Sequence, residues 1–247
     1  MKQFCALLAA IAMFAAARGV VLAQDSIPLA SRLPSLSANG AAGGGGRTDI
    51  FTDERGNKTQ YNLQLLGLAS AVAADDDGIH KTLLVKSGSE ANRISNDITK
   101  LGDLTYVAPL LGAVYLTGGN SNHTLASHAA IAVWKAGMIG VVAKYAIGRH
   151  RPGDGTTGGT FSPFSTSDPK NSFPSGHSLV AFSVATVWAN EKPGEKVIAY
   201  GLASLVGLSR VMLGAHWASD VLAGAALGIS QGRQVNNGNT DLFTIRF

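Results

Sequence analysis

The sequence is poor in cysteine, in charge and in the alternating pattern of β-strands. A single cysteine, Cys5, occurs among 247 residues, which excludes an intrachain disulfide framework. Charged residues make up 15% and hydrophobic residues 46%, so the folded part is expected to have a well-buried core. The net charge of +4 is mild and no arm dense in Lys and Arg occurs, so no nucleic-acid partner is expected.

Residues 1–23 have the pattern of a secretory signal peptide. Lys2 precedes a short apolar run, and the stretch "VLA" ends in a small residue, Ala23. An uncleaved membrane anchor is the alternative, but the run is short for a span and Arg18 interrupts it. Cleavage after Ala23 would remove Cys5 and place the protein in the periplasm, with membrane association as the alternative location.

The remaining chain divides into three parts by composition. Residues 24–62 form a Gly/Ser-rich linker that is expected to be flexible, and residues 233–247 form a polar C-terminal tail. The intervening residues, 63–232, form the predicted catalytic domain. Within it, the stretch "ADDDGIHK" at 74–81 lacks the ligand spacing of a calcium loop, so we predict a solvated turn there.

The pattern of apolar residues, caps and glycines predicts an all-α domain, a compact bundle of about six core helices with the active site between them. The expected helices cover residues 87–102, 104–119, 121–152, 178–190, 195–213 and 216–230. The loop at 153–173 is long for a compact domain, which is typical of a functional loop. Charges interrupt most apolar runs, so a globular domain is favoured and a membrane-embedded bundle is the alternative.

Two groups of residues offer ligands for an anion. Lys144 and Arg151 are two helical turns apart near the predicted end of a helix, although a solvated basic helix end would explain them alone. The stretch "PSGH" precedes an apolar helix, so Ser175, Gly176 and His177 lie where free backbone N–H groups bind anions. An ordinary helix cap would explain this second group alone.

A third group is the stretch "SRVMLGAHWASD" from Ser209 to Asp220. His216 and Asp220 are spaced i, i+4, so we expect them to meet on one helical face, where the carboxylate would orient the imidazole. A buried structural pair would explain them alone. Taken together, the three groups supply three cations, two histidines, a carboxylate and N–H donors, the set needed to bind and transfer a phosphate.

The chain resembles the type 2 phosphatidic acid phosphatase superfamily, which includes bacterial non-specific acid phosphatases, lipid phosphatases and vanadium-dependent haloperoxidases. The resemblance lies in K-x6-RP from Lys144 to Pro152, in PSGH, and in SR-x5-H-x3-D from Ser209 to Asp220. All eleven specified positions are present in order, which makes the resemblance specific. It covers neither the residues before about Leu84 nor those after Ser230.

The resemblance implies a metal-independent phosphatase that works through a phosphohistidine and needs no cofactor. His216 would be the nucleophile, Asp220 would orient it, and His177 would donate a proton to the leaving oxygen, which requires His177 to be charged. The implied ligands of the phosphoryl oxygens are Lys144, Arg151, Arg210, Ser175 and Gly176. The expected partner is a phosphorylated small molecule or a lipid phosphate. A haloperoxidase that holds vanadate in the same pocket is the alternative function, and a helical phosphate-binding protein is a third.

Overall fold

The computed structural model describes residues 67–86 and 88–242, so the predicted signal peptide and linker lie outside the described residues. A helical stretch at 67–73 comes first. Seven longer helices follow among the described residues: α1 (Asp76–Lys86), α2 (Ser89–Thr99), α3 (Leu104–Thr117), α4 (Asn120–Ile147), α5 (Gly176–Glu191), α6 (Lys196–Met212) and α7 (Ala218–Asn236). In this part of the chain, the only β-type pairing is an isolated bridge between Arg149 and Phe161. The predicted all-α class is confirmed.

Helix α5 lies at the centre of the bundle and packs against α4, α6 and α7. Small residues on α7 allow its backbone to approach α5 closely. A Cβ added to Gly224 would lie 2.4 Å from the carbonyl oxygen of Ser175, and one added to Gly228 would lie 2.5 Å from that of Leu179. Because no side chain fits in these places, the glycines fix the distance between the start of α5 and the start of α7, where two of the sequence motifs lie.

The helix predicted at 121–152 ends earlier than expected, at Ile147. Gly148 adopts a left-handed conformation, with φ +60°, and its N–H closes the helix on the carbonyl of Lys144. This glycine packs against the backbone of Ser162, so a side chain would not fit there. Arg151 therefore lies in a loop, and the prediction that it lies two helical turns after Lys144 on the same helix is wrong.

The helix predicted to begin near His216 instead starts at Ala218 and continues to Asn236. Gly214, with φ +64°, separates α6 from α7 and leaves His216 in the connecting loop. His216 and Asp220 are thus not two positions on one helix. Asp220 lies in the first turn of α7, and its side chain accepts a hydrogen bond from the N–H of Trp217, the N-cap residue.

The solvated turn predicted at 74–81 is also wrong for most of its length. Only residues 74 and 75 form a turn, and α1 begins at Asp76. The side chain of Asp76 is 1% exposed. A carboxylate this deeply buried requires partners, because an unpaired buried charge costs several kcal/mol.

Candidate active site

Three predicted cations surround one site, each anchored by a different element. Lys144, in the last turn of α4, donates to the carbonyl of Asn171 at 2.6 Å. Arg151, in the following loop, donates through Nη1 to the carbonyl of Ala215 at 3.0 Å. Arg210, near the end of α6, donates to Thr99 at 2.9 Å.

The guanidinium of Arg210 has a buried donor without a partner. Its Nε is buried and has no hydrogen-bond acceptor in the part of the chain that the structure describes. An unsatisfied buried donor costs about 1–3 kcal/mol, and more when it is charged. An oxyanion bound between these cations would supply the missing acceptor.

The "PSGH" motif forms the N-terminus of α5, as the sequence predicts. Ser175 is the N-cap residue, and its hydroxyl accepts from Ser178 N at 3.5 Å and Ser178 Oγ at 3.1 Å. The Ser175 N–H is used by the carbonyl of Asp220, at 3.0 Å, which links the two motifs. Gly176 and His177 are the first helical residues, so their N–H groups have no acceptor within the helix and can bind an anion.

His216 and Asp220 are close, but a third residue lies between them. The distance from His216 Nδ1 to Asp220 Oδ2 is 3.8 Å, too long for a hydrogen bond. Ser172 Oγ donates to Asp220 Oδ2 at 2.5 Å and lies 3.4 Å from His216 Nδ1. The carboxylate therefore orients the imidazole partly through Ser172, and Nε2 on the other side of the ring is left for chemistry.

Both histidines have lowered pKa values that favour the neutral imidazole at pH 7. Burial lowers the pKa of His216 to about 4, although Asp220 acts to raise this pKa. Burial, followed by the charge of Arg210, lowers the pKa of His177 to about 4, although Asp103 lies 4.0 Å away. The lowered pKa of His177 runs against the sequence-based expectation that this side chain is charged. A bound phosphate would offset the cations and raise the pKa of His177.

Three residues that support the site were not identified from the sequence: Arg149, Ser172 and Asp76. Arg149 donates to Asp220 Oδ1 at 2.6 Å and to Asp76 Oδ2 at 2.8 Å. The only signal in the sequence was an additional arginine two positions before Arg151. Residue type and spacing do not show whether such an arginine faces solvent or a buried carboxylate.

His150, between Arg149 and Arg151, is not an exposed residue at a helix end, although its place in the sequence favours one. Its ring is mostly buried, with Nδ1 2.9 Å from Asp154 Oδ2 and Nε2 2.9 Å from Ser162 Oγ. Both ring nitrogens are occupied, so His150 holds the loop together rather than binding a ligand. Trp217, beside the nucleophile candidate, donates to the carbonyl of His150 at 2.7 Å and packs in the interior.

A cavity of about 300 Å³ opens beside these residues and is bordered by Lys144, Gly176 and His177. A larger cavity of about 1030 Å³ lies between α3 and α4 and is lined almost entirely by apolar side chains. Four residues line both: Leu104, Gly137, Val141 and Val180. The smaller cavity, which Lys144 and His177 border, thus continues into a long apolar groove.

Comparison with known proteins agrees with this geometry. The profile of the PAP2 superfamily matches residues 123–236, which include all three motifs. A phosphatidylglycerophosphatase B of Bacillus subtilis is 30% identical over 174 residues, covering 65% of this chain and 81% of that protein. The chain belongs to the PAP2 superfamily. The predicted resemblance is confirmed.

Two further matches are to lipid phosphatases. A lipid A 1-phosphatase of Porphyromonas gingivalis is 33% identical over 181 residues, which cover 71% of this chain and 37% of that relative. The crystal structure of a transmembrane PAP2-type phosphatidylglycerolphosphate phosphatase from Bacillus subtilis superposes with a TM-score of 0.53. It is 25% identical, and the match covers 72% of this chain and 94% of that structure. The names of these PAP2 relatives agree with the predicted enzyme class, a phosphatase.

Proposed function

We propose that this PAP2 protein is a metal-independent phosphatase that removes the phosphate from a lipid phosphomonoester or pyrophosphate through a phosphohistidine. The observation that carries the proposal is the continuity between the cavity that Lys144 and His177 border and the apolar groove. Lys144, Arg210 and His177 surround the place for the phosphate, and the groove between α3 and α4 begins at its edge.

In the first step, His216 Nε2 attacks the phosphorus atom and the bond from phosphorus to the leaving oxygen breaks. The ring then carries a proton on Nδ1 and the phosphoryl group on Nε2, and the carboxylate of Asp220 stabilises its positive charge. His177 gives its proton to the leaving oxygen, which departs as an alcohol from a phosphomonoester or as a lipid monophosphate from a pyrophosphate. The cations Lys144, Arg151 and Arg210 stabilise the charge on the equatorial oxygens, as phosphoryl transfer requires.

In the second step, water attacks the phosphorus atom of phosphohistidine. His177, now neutral, takes a proton from the water, and the bond from phosphorus to Nε2 breaks. Inorganic phosphate leaves, and His216 returns to its neutral form with the proton on Nδ1. The low pKa of His216 supports this cycle, because the resting imidazole is already in its nucleophilic form at pH 7.

The outer faces of α3 and α4 support a lipid substrate and a location at a membrane. Large apolar side chains are exposed there, among them Leu110, Leu116, Trp134, Val141 and Val142. Among the described residues, α4 is the one helix long and apolar enough to cross a membrane. A lipid headgroup could therefore reach the pocket while its hydrocarbon chains lie in the groove and in the bilayer.

The haloperoxidase alternative is not favoured, because the relatives named above are phosphatases. A vanadate ion would be held by the same cations, so the anion pocket alone does not separate the two activities. Binding of phosphate without turnover is also less well supported. Anion binding alone gives no reason for an imidazole beside a buried carboxylate.

Blocking the groove tests the lipid assignment. Gly137 lines both cavities and has no atom within 4 Å of the place where a Cβ would stand, so Gly137→Leu fills the junction without disturbing the core. We expect kcat/KM for a long-chain lipid phosphate in detergent to fall at least about tenfold, because the chain loses apolar contacts. Release of p-nitrophenol from p-nitrophenyl phosphate should change less than about twofold.

Gly201→Ala is a matched control, since Gly201 lies on α6, also with open space around it and outside both cavities. Both assays are run with EDTA. The substrates are phosphatidylglycerophosphate, a lipid A 1-phosphate and an isoprenyl pyrophosphate. Equal losses on the lipid and the soluble substrate in Gly137→Leu would contradict the role of the groove, and loss of both activities in EDTA would contradict the metal-independent mechanism.

A further inference from the structure

Arg149 differs from the three cations of the phosphate pocket because all of its donors are already used. Nε and Nη2 donate to the carbonyl of Gly158, at 2.9 and 2.6 Å. Nη1 donates to Ser219 Oγ at 2.7 Å and Asp220 Oδ1 at 2.6 Å, and Nη2 also donates to Asp76. A guanidinium has five N–H donors, and here all five have acceptors inside the protein. Arg149 therefore has none left for a substrate.

Asp76 reaches this network from α1, outside the region that matches the superfamily profile. Its Oδ1 accepts from the backbone N–H of Ser219 at 3.1 Å, and its Oδ2 accepts from the hydroxyl of the same residue. Ser219 lies in the first turn of α7, where N–H groups lack acceptors within the helix. Asp76 thus caps the helix that carries Asp220, although it belongs to a different part of the chain.

The formal charges of this network sum to one negative charge. Asp76, Arg149 and Asp220 are all buried, and together they carry two negative charges and one positive charge. If Arg149 had Asp220 as its only partner, the pair would be neutral. Because Asp76 also pairs with Arg149, one negative charge remains beside His216, whose ring becomes positive when it is phosphorylated.

We propose that Asp76 and Arg149 are positioning residues of the phosphatase reaction, which hold Asp220 in place and leave its negative charge available to His216. The inference rests on the proposed phosphohistidine mechanism for its effect on turnover. The arrangement of charges around His216 can nevertheless be measured without turnover. The α1 helix is accordingly part of the catalytic unit and not an appendage before the superfamily domain.

The variant Asp76→Asn tests the charge argument, because it keeps the shape of the side chain and an acceptor for the N–H of Ser219. Arg149 then neutralises Asp220, so the imidazolium form of His216 loses its stabilising charge. The pKa of His216, followed by NMR of ring-labelled protein, is expected to fall below its wild-type value. We expect kcat to fall about tenfold or more, with KM changed less than about threefold, since neither residue contacts the substrate.

Two further variants separate charge from structure. Ser219→Ala removes hydrogen bonds to Asp76 and Arg149 without changing any charge, so the pKa of His216 should stay at the wild-type value. Asp76→Asn combined with Arg149→Gln restores one net negative charge, so this pKa should return toward wild type. A purely structural role predicts instead that the double variant is at least as impaired as Asp76→Asn.

The outcomes are distinct. A folded Asp76→Asn protein with unchanged kcat and an unchanged pKa of His216 overturns the proposal. A rise in KM at constant kcat in Arg149→Lys also overturns the proposal, because it would make Arg149 a substrate ligand. If Asp76→Asn does not fold, the double variant decides: a pKa of His216 near wild type supports the proposal, and a lower one overturns it. If the wild-type protein releases no phosphate from any substrate, the proposed function fails, while the pKa comparison still tests the charge network.

Discussion

Replacing His216 with alanine is expected to reduce phosphate release from every substrate to the background rate, a loss on the order of 10⁴-fold or more. The reason is that the first step needs a nucleophile, and among the residues that the structure describes no second imidazole lies against the carboxylate of Asp220. His177, the second histidine of the pocket, lies instead near Asp103, with its Nε2 4.0 Å from Oδ2. The measurement is steady-state release of phosphate at pH 7, with EDTA present and with folding checked by circular dichroism.

Two variants serve as comparisons for this loss. His128→Ala removes a histidine from the middle of α4, away from the pocket, and should retain activity within about twofold of wild type. Asp220→Asn should keep a measurable remnant of activity, since the nucleophile is still present but poorly oriented. A folded His216→Ala protein that retained a few per cent of wild-type turnover would refute the assignment of the nucleophile.

Replacing His177 with alanine is expected to make the rate depend on the leaving group. The lipid alcohol is a poor leaving group and needs a proton, so its release should slow by about 10²–10⁴-fold. The p-nitrophenolate ion leaves without protonation, so formation of phosphoenzyme from p-nitrophenyl phosphate should be nearly unaffected. The second step also lacks its base, so we expect a burst of p-nitrophenol followed by slow turnover. The measurement is stopped-flow absorbance with each substrate.

Asp103→Asn provides a control for the surroundings of His177. It removes a carboxylate that raises the pKa of His177 but keeps the imidazole, so the lipid substrate should slow far less than in His177→Ala and no burst of p-nitrophenol should appear. Equal slowing of the lipid and nitrophenyl substrates in His177→Ala, with no burst, would show that His177 does not act on the leaving oxygen.

The three motifs could be predicted from the sequence because each depends on local chemistry. In PSGH, a serine that is favoured as an N-cap precedes an apolar run, so the sequence predicts that Ser175 and His177 lie at a helix N-terminus. The positions of Lys144 and Arg210 near helix ends are equally local. Spacing also placed His216 near Asp220, although the helix predicted to carry both begins only at Ala218.

The residues that hold His216 and Asp220 in place could not be predicted, because their contacts depend on tertiary packing. Asp76 is one of three consecutive acids, and only its burial against α7 distinguishes it from Asp75 and Asp77. Ser172 lies in a loop rich in serine, with nothing in its neighbours to mark it as the residue between His216 and Asp220. The left-handed conformation of Gly148, which ends α4, could not be predicted for the same reason, because it depends on the loop that packs against this glycine.

The apolar groove could not be predicted from sequence patterns either. Helix α3 is apolar almost all round, so its sequence does not distinguish a face buried in the protein from a face that borders a cavity. The same is true of α4, whose exposed residues include Trp134 and Val141. The expectation of a globular domain over a membrane-embedded bundle relied on charged residues interrupting apolar runs. In the structure, Lys144 lies at the end of α4, and Lys135, which also interrupts this helix, is buried in the protein.

The most direct test of the account is to identify the phosphorylated residue. Wild-type and His177→Ala proteins are mixed with ³²P-labelled p-nitrophenyl phosphate, quenched within milliseconds at alkaline pH and digested for mass spectrometry. The account predicts a label that is stable to base and labile to acid, located on His216 and more abundant in His177→Ala. A label on another residue, or phosphate release at the wild-type rate with no phosphoenzyme at any time, would contradict it.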